Sequence, residues 1–238
     1  MGQSNMAGRG VLTDSLRNLH DSCVFMLTRD LKWTIARHPI HFDKPSVAGV
    51  GPGLSFGMVM AKAHPGVKIG LVPCAVGGTS IDKWQPGAFD PVTSTHPYDD
   101  AVARISEAMK KGEVKGMLWL QGESDSNTDS APVYLDELKV LVKRMRKLTG
   151  KRKLPVVVGE LGRYNPSYQI INNELTKAPL QIKNLAVATS EGLTEKGDNT
   201  HFDAKSAGIF GERFAIKMLE LQNKDKEPVV CKFLTDSK

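Results

Sequence analysis

The sequence predicts an α/β fold, a three-layer α/β/α sandwich built on a parallel sheet. Three observations predict it. Four short runs, 67–75 (VKIGLVPCA), 114–121 (VKGMLWLQ), 154–161 (LPVVVGEL) and 185–190 (LAVATS), read as strands and are separated by longer segments with helical periodicity. Three of these runs are almost continuously apolar, as strands are when helices cover both faces of a parallel sheet. The chain has 238 residues with neither an internal repeat nor a Ser- or Gly-rich linker, so 1–238 is read as one domain.

Taken in chain order, the first ten residues, MGQSNMAGRG, form a small polar turn-rich segment. Residues 11–50 fit the alternation poorly. They include TRDLKWTIARHPIHFDKP, aromatic and charged, and are expected to form an excursion or hairpin over the sheet. Helices are expected over 54–64, 98–111, 133–149 and 167–178. In the third of these, Leu135, Leu138, Leu141, Val142, Met145 and Leu148 recur at helical spacing. A last helix over 204–221 places Ala207, Phe210, Phe214, Met218 and Leu221 on one face, with Asp203 as its N-cap. The tail from Asn223 onward is polar and is expected to be peripheral and frayed.

Composition narrows the function classes. No run approaches the ~20 apolar residues of a membrane span, and no apolar signal core follows a basic start. The chain is expected to be soluble, and its compartment stays open. The formal net charge of +6 comes from one place: 139–153 holds eight Lys/Arg and no acid, which leaves 24 basic residues against 26 acidic ones elsewhere. Those residues lie on the back of an amphipathic helix and lack interleaved aromatics, so nucleic acid is rejected as the partner. Three separated cysteines without a CxxC argue against a disulfide framework or a zinc site. His38 and His41 are split by Pro39 in aromatic surroundings and make a poor metal pair. No metal or cofactor is expected.

In open α/β sheets the chemistry collects at the carboxyl ends of the strands. Three small polar segments follow strands here, VGGTS, QGESD and the loop ending GDNTHFD, and the N-terminal GQSNMAGRG joins them. Asp198 and His201, three apart before a helix, have the spacing for a carboxylate to orient an imidazole. No G-x-S-x-G elbow supplies a nucleophile, which leaves Ser4 in its glycine-flanked turn. Backbone amides at Gly77 and Gly78 and the side-chain amide of Gln121 are suited to stabilise an oxyanion. Taken singly, VGGTS reads better as an ordinary strand-to-helix turn and QGESD as a turn with a capping acid. Glu123 and Asp125 invite a glycosidase reading, without a third supporting feature. Trp84, after the Gly loop, and Glu123 are candidate sugar contacts, whereas Trp119 reads as core. Arg9 either guides the loop after Ser4 or pairs with an acid.

GQSNMAGRG, GPGLSFG, LVPCAVGGTSIDKW, LWLQGESD and GDNTHFD, in that order, resemble the SGNH-type carbohydrate esterases, and within them the acetylxylan esterase and sialate O-acetylesterase-like group, carbohydrate esterase family 6. The resemblance runs from Gly2 to about Leu221. It implies a flavodoxin-like three-layer fold and metal-free removal of acetyl groups from sugars. It implies Ser4 as nucleophile, Asp198 as orienter and His201 as base. It further implies Gly78, Gln121 and the Ser4 amide as oxyanion donors. The implied partner is an acetylated carbohydrate, and the oligomeric state is not read from the sequence.

One departure stands out. Related enzymes place an apolar strand directly before the GQSN segment, and here only Met1 and Gly2 precede Gln3. The expectation is an interior gap in the sheet, a loosely held Ser4 and weak esterase activity. Residues 25–27 are the only apolar run nearby and are not expected to fill it. Two other classes compete: a non-catalytic sugar-binding relative, and a nucleotide-binding protein using GVGPGLSFG at 49–57. The second is weak because Pro52 interrupts the motif and its glycine spacing fails.

Overall fold

The computed structural model describes residues 1–223. Two short helices, α1 (Ser4–Ala7) and α2 (Asp14–Asn18), precede strands β1 (Val24–Leu27) and β2 (Trp33–Ile35). The remaining strands, β3 (Ile69–Leu71), β4 (Met117–Trp119), β5 (Val156–Gly159) and β6 (Leu185–Ala188), alternate with helices α3 (Gly53–Ala63), α4 (Pro97–Met109), α5 (Ala131–Leu148), α6 (Gln169–Gln181) and α7 (Ala204–Asn223). The strand–helix alternation is the expected one, and the four strands fall inside the four apolar runs but are shorter than them. The expectation for the tail beyond Asn223 lies outside the described residues.

The strands form two half-sheets. β4, β5 and β6 pair in parallel in that order. β1 pairs in parallel with β3 and antiparallel with β2. The 11–50 segment therefore does contain a hairpin, but the hairpin extends the sheet instead of lying over it. Met1 to Gln3 bridge the halves: Gln3 N donates to Leu120 O at 3.0 Å, Leu120 N to Met1 O at 3.3 Å, and Val76 N to Gly2 O at 2.9 Å. The Met1 ammonium donates to Leu118 O at 2.9 Å. Among the described residues these bonds join the halves where β3 and β4 end.

Beneath them a cavity of about 830 Å³ opens between β3 and β4, with Ile69, Leu71, Ile105, Met117, Leu118 and Met218 in its lining. Among the described residues no strand fills the space between β3 and β4. Residues 25–27 do not fill it, because β1 pairs with β3 on the opposite edge. Alternation decides which backbone groups face the cavity. Met117 N donates to Pro155 O on the β5 side, so Leu118 turns the other way, where its carbonyl meets Met1.

Packing follows the apolar patterns. Every residue of β5 is buried, and the stripe on α5 is buried from Leu135 through Met145. On α7, Ala207, Phe210, Phe214, Met218 and Leu221 all face inward, with Phe202, Phe210 and Phe214 in ring contact. Each of the buried Leu, Phe and Met side chains contributes about 1.5–3 kcal/mol by leaving water. Asp203 caps α7 by accepting from Ser206 N at 2.7 Å. α3 lies against α7 so closely that a Cβ on Gly211 would sit 2.2 Å from Pro52 O. Among the described residues no helix is long and apolar enough to cross a membrane.

Candidate active site

The C-terminal ends of the strands bring the N-terminal turn, the 76–79 loop, the 121–125 loop and the 195–202 loop together. Ser4 opens α1 and is almost buried, at 7% exposure. Its Oγ lies 2.9 Å from His201 Nε2. His201 Nδ1 lies 2.7 Å from Asp198 Oδ2, and the His201 amide donates to Asp198 Oδ1 at 2.8 Å. With the Nδ1 proton committed to Asp198, Nε2 is left to accept from the Ser4 hydroxyl. Burial opposes ionisation of Asp198. Hydrogen bonds from the His201 ring and amide, from Lys196 and from Thr200 outweigh it and hold the carboxyl well below its ordinary range.

Asn5 fixes this register, a role that sequence reasoning missed. Its Oδ1 accepts from Phe202 N at 3.0 Å, and its Nδ2 donates to Thr200 O at 3.0 Å. The residues on either side of His201 are thus bonded to the neighbour of Ser4. Asn5 Nδ2 also donates to Glu123 Oε1 at 2.6 Å.

Glu123 is therefore turned inward to brace Asn5 and is not offered to a sugar. Its Oε2 is buried without a partner, and burial raises its pKa. Asp125 is also structural: it is 2% exposed and accepts from Ile81 N. Both carboxylates are engaged in bonds that hold the loops together.

The oxyanion candidates divide. Gly78 is exposed with φ +92°, a conformation that favours glycine, and its amide has no acceptor among the described residues. The Ser4 amide, at the first turn of α1, has no intrahelical acceptor either. Gln121 differs from expectation. It is fully buried, and its Nε2 faces Gln3 Oε1 at 3.1 Å, Thr79 O at 3.0 Å and Asp125 Oδ2 at 2.5 Å. Three acceptors for two N–H groups leave no free donor, so Gln121 knits the loops from below.

Trp84 is corrected outright. It is 1% exposed, its Nε1 donates to Thr79 Oγ1 at 3.1 Å, and its ring meets Trp119 edge-on at 5.2 Å. The 3-10 turn Ile81–Lys83 directs it into the core, where no sugar reaches. Trp119 is core, as expected. Arg9 is buried against Asp43 at 2.6 Å and also donates to Gly8 O at 2.8 Å, so it both pairs with an acid and holds the loop after Ser4. Among the described residues no cluster of three or more His, Cys, Asp or Glu could hold a metal.

The family model described as carbohydrate esterase, sialic acid-specific acetylesterase matches residues 1–220. The chain is 33% identical over 227 residues to the probable carbohydrate esterase At4g34215 of Arabidopsis thaliana, covering 86% of this chain and 83% of that protein. The crystal structure of the Arabidopsis thaliana AT4G34215 protein aligns with TM-score 0.79 at 30% identity, over 92% of this chain and 95% of that one. At 18% identity the fold is also that of NanS, with TM-score 0.72 and coverage of 94% and 96%. It is shared too by XAC1771 of Xanthomonas citri, described as a novel carbohydrate acetylesterase, with TM-score 0.71 and coverage of 94% and 56% at the same identity. With the match extending from the serine turn through the histidine loop into the last helix, the chain belongs to the sialic acid-specific acetylesterase family of carbohydrate esterases.

Proposed function

We propose that this protein is a serine esterase that removes O-acetyl groups from carbohydrates, on a three-layer α/β/α sandwich of the SGNH type. The observation that carries the reading is the unbroken chain from Ser4 Oγ through His201 to Asp198, at 2.9 and 2.7 Å. Ser4 Oγ attacks the acetyl carbonyl carbon as His201 Nε2 takes its proton. The amides of Ser4 and Gly78 donate to the oxygen that becomes negative, each donor of this kind contributing ~3–4 kcal/mol. The carbon–oxygen bond to the sugar breaks, and the sugar oxygen leaves with the proton from His201. Water, deprotonated by His201, then attacks the acetyl carbon, the bond to Ser4 Oγ breaks, Ser4 regains its proton from His201, and acetate leaves.

An acetylated sugar, whether xylan-derived or a sialate, is the substrate class the family membership favours. Neither a nucleic acid nor a membrane is proposed as a partner. A second reading, a sugar-binding relative with impaired turnover, draws on one observation: the segment that leads into Ser4 joins the sheet through Met1 to Gln3, beside the cavity. Hydrolysis of an aryl acetate and of acetylated sugars tests the first reading. Ser4→Ala and His201→Ala are each expected to lower kcat by ~10³-fold or more, and turnover retained by either variant refutes the assignment.

A further inference from the structure

Asp43 belongs to none of the segments that carry the site, yet it binds two of them together. It sits between β2 and α3 with its side chain 2% exposed, against Arg9 at 5%. Asp43 Oδ2 accepts from Arg9 Nη2 at 2.6 Å and from Gly77 N at 2.8 Å, while Arg9 Nη1 reaches Asp43 Oδ1 at 3.4 Å. Arg9 Nη1 also donates to the carbonyl of Gly8, the residue that closes α1, at 2.8 Å. One carboxylate therefore joins the turn that carries Ser4 to the loop that carries Gly78.

The join is tight. A Cβ on Gly77 would lie 2.5 Å from Arg9 Nη2, 3.0 Å from Asp43 Oδ2 and 3.3 Å from Ser4 Cβ. The 77–78 loop is pressed against the nucleophile turn with no room to slide. The Gly77 amide points back to Asp43, so the amide that remains free is that of Gly78, and a fixed Gly77 sets its direction.

We propose that Asp43, held by Arg9, is a positioning residue for acyl transfer: it locks the 76–78 loop so that the Gly78 amide stands opposite Ser4 where the oxyanion forms. The inference rests on the esterase reading above and adds a role that no motif carries. Arg9, with its guanidinium spent on Asp43 and Gly8, does not bind substrate.

Asp43→Asn tests this. The amide keeps the shape but cannot accept from both Arg9 and Gly77 as an anion does, and it leaves a buried guanidinium uncompensated. Expected is a fall in kcat of roughly 10–100-fold with KM within about twofold. A trifluoromethyl ketone that mimics the tetrahedral intermediate should lose affinity by the same factor. Circular dichroism and cooperative thermal unfolding establish that the variant is folded. Where it is not, Arg9→Lys, which keeps the charge but loses the guanidinium fork, replaces it with the same expected pattern. An unchanged kcat in a folded variant overturns the proposal, as does a rise in KM with unchanged affinity for the ketone. If Ser4→Ala keeps its activity, the esterase reading itself fails. If Ser4→Ala is inactive while Asp43→Asn is unimpaired, only the positioning role fails.

Discussion

Around Ser4, single side chains do two kinds of work, and only one kind was legible in the sequence. Ser4, Asp198 and His201 announce themselves, since a serine in a glycine turn and an Asp three residues before a His are local patterns. Asn5 and Asp43 announce nothing. Asn5 binds residues some 195 positions away, and Asp43 reaches Arg9 across 34, so no window of sequence contains both partners. Trp84 shows the opposite error: an aromatic after a glycine loop looks available to a sugar until the turn directs it inward. His38 and His41 give the residue scale its own test. Both are buried, His38 without a partner at Nδ1 and His41 without one at either nitrogen. Burial lowers His38 from 6.5 to about 4. His41 falls to about 3, chiefly by burial and then by the Met1 ammonium, with Asp43 opposing. The unfolded chain takes up these protons near pH 6.5 and the folded chain does not. Stability is therefore complete above about pH 7 and falls as pH drops through 6.5 toward 4, by ~1.4 kcal/mol per histidine per pH unit. Urea midpoints at pH 7.5 and 5.5 should differ in the native sequence and differ less in the H38Q/H41Q variant. Equal midpoints in the native sequence contradict the burial of neutral imidazoles.

Elements were read better in kind than in extent. Every apolar run expected to be a strand contains one, and each helical stripe contains its helix, because burial on both faces or along one stripe leaves a pattern in composition. The runs overshoot for a physical reason. Cys74, Ala75, Leu154 and Leu161 are buried yet lie outside the ladders, so apolar character continues where pairing stops. The β1–β2 hairpin was assigned to the surface because its charged and aromatic residues mask the alternation. Its burial is mixed, with Val24 and Leu27 fully enclosed and Thr34 exposed, which is the pattern of a strand near a sheet edge.

On the scale of the whole molecule, the sheet is two halves joined at one end. Among the described residues Met1 to Gln3 provide that junction, and they run directly into the turn that carries Ser4. Among the described residues no strand pairs with both β3 and β4, and a cavity of about 830 Å³ lies between them.

Treatment with a serine-directed fluorophosphonate, followed by peptide mass spectrometry, tests the central claim most directly. The account predicts one covalent adduct, on Ser4, formed slowly or not at all in His201→Ala. An adduct on another serine, or none on Ser4 in a folded protein that hydrolyses acetyl esters, would contradict it.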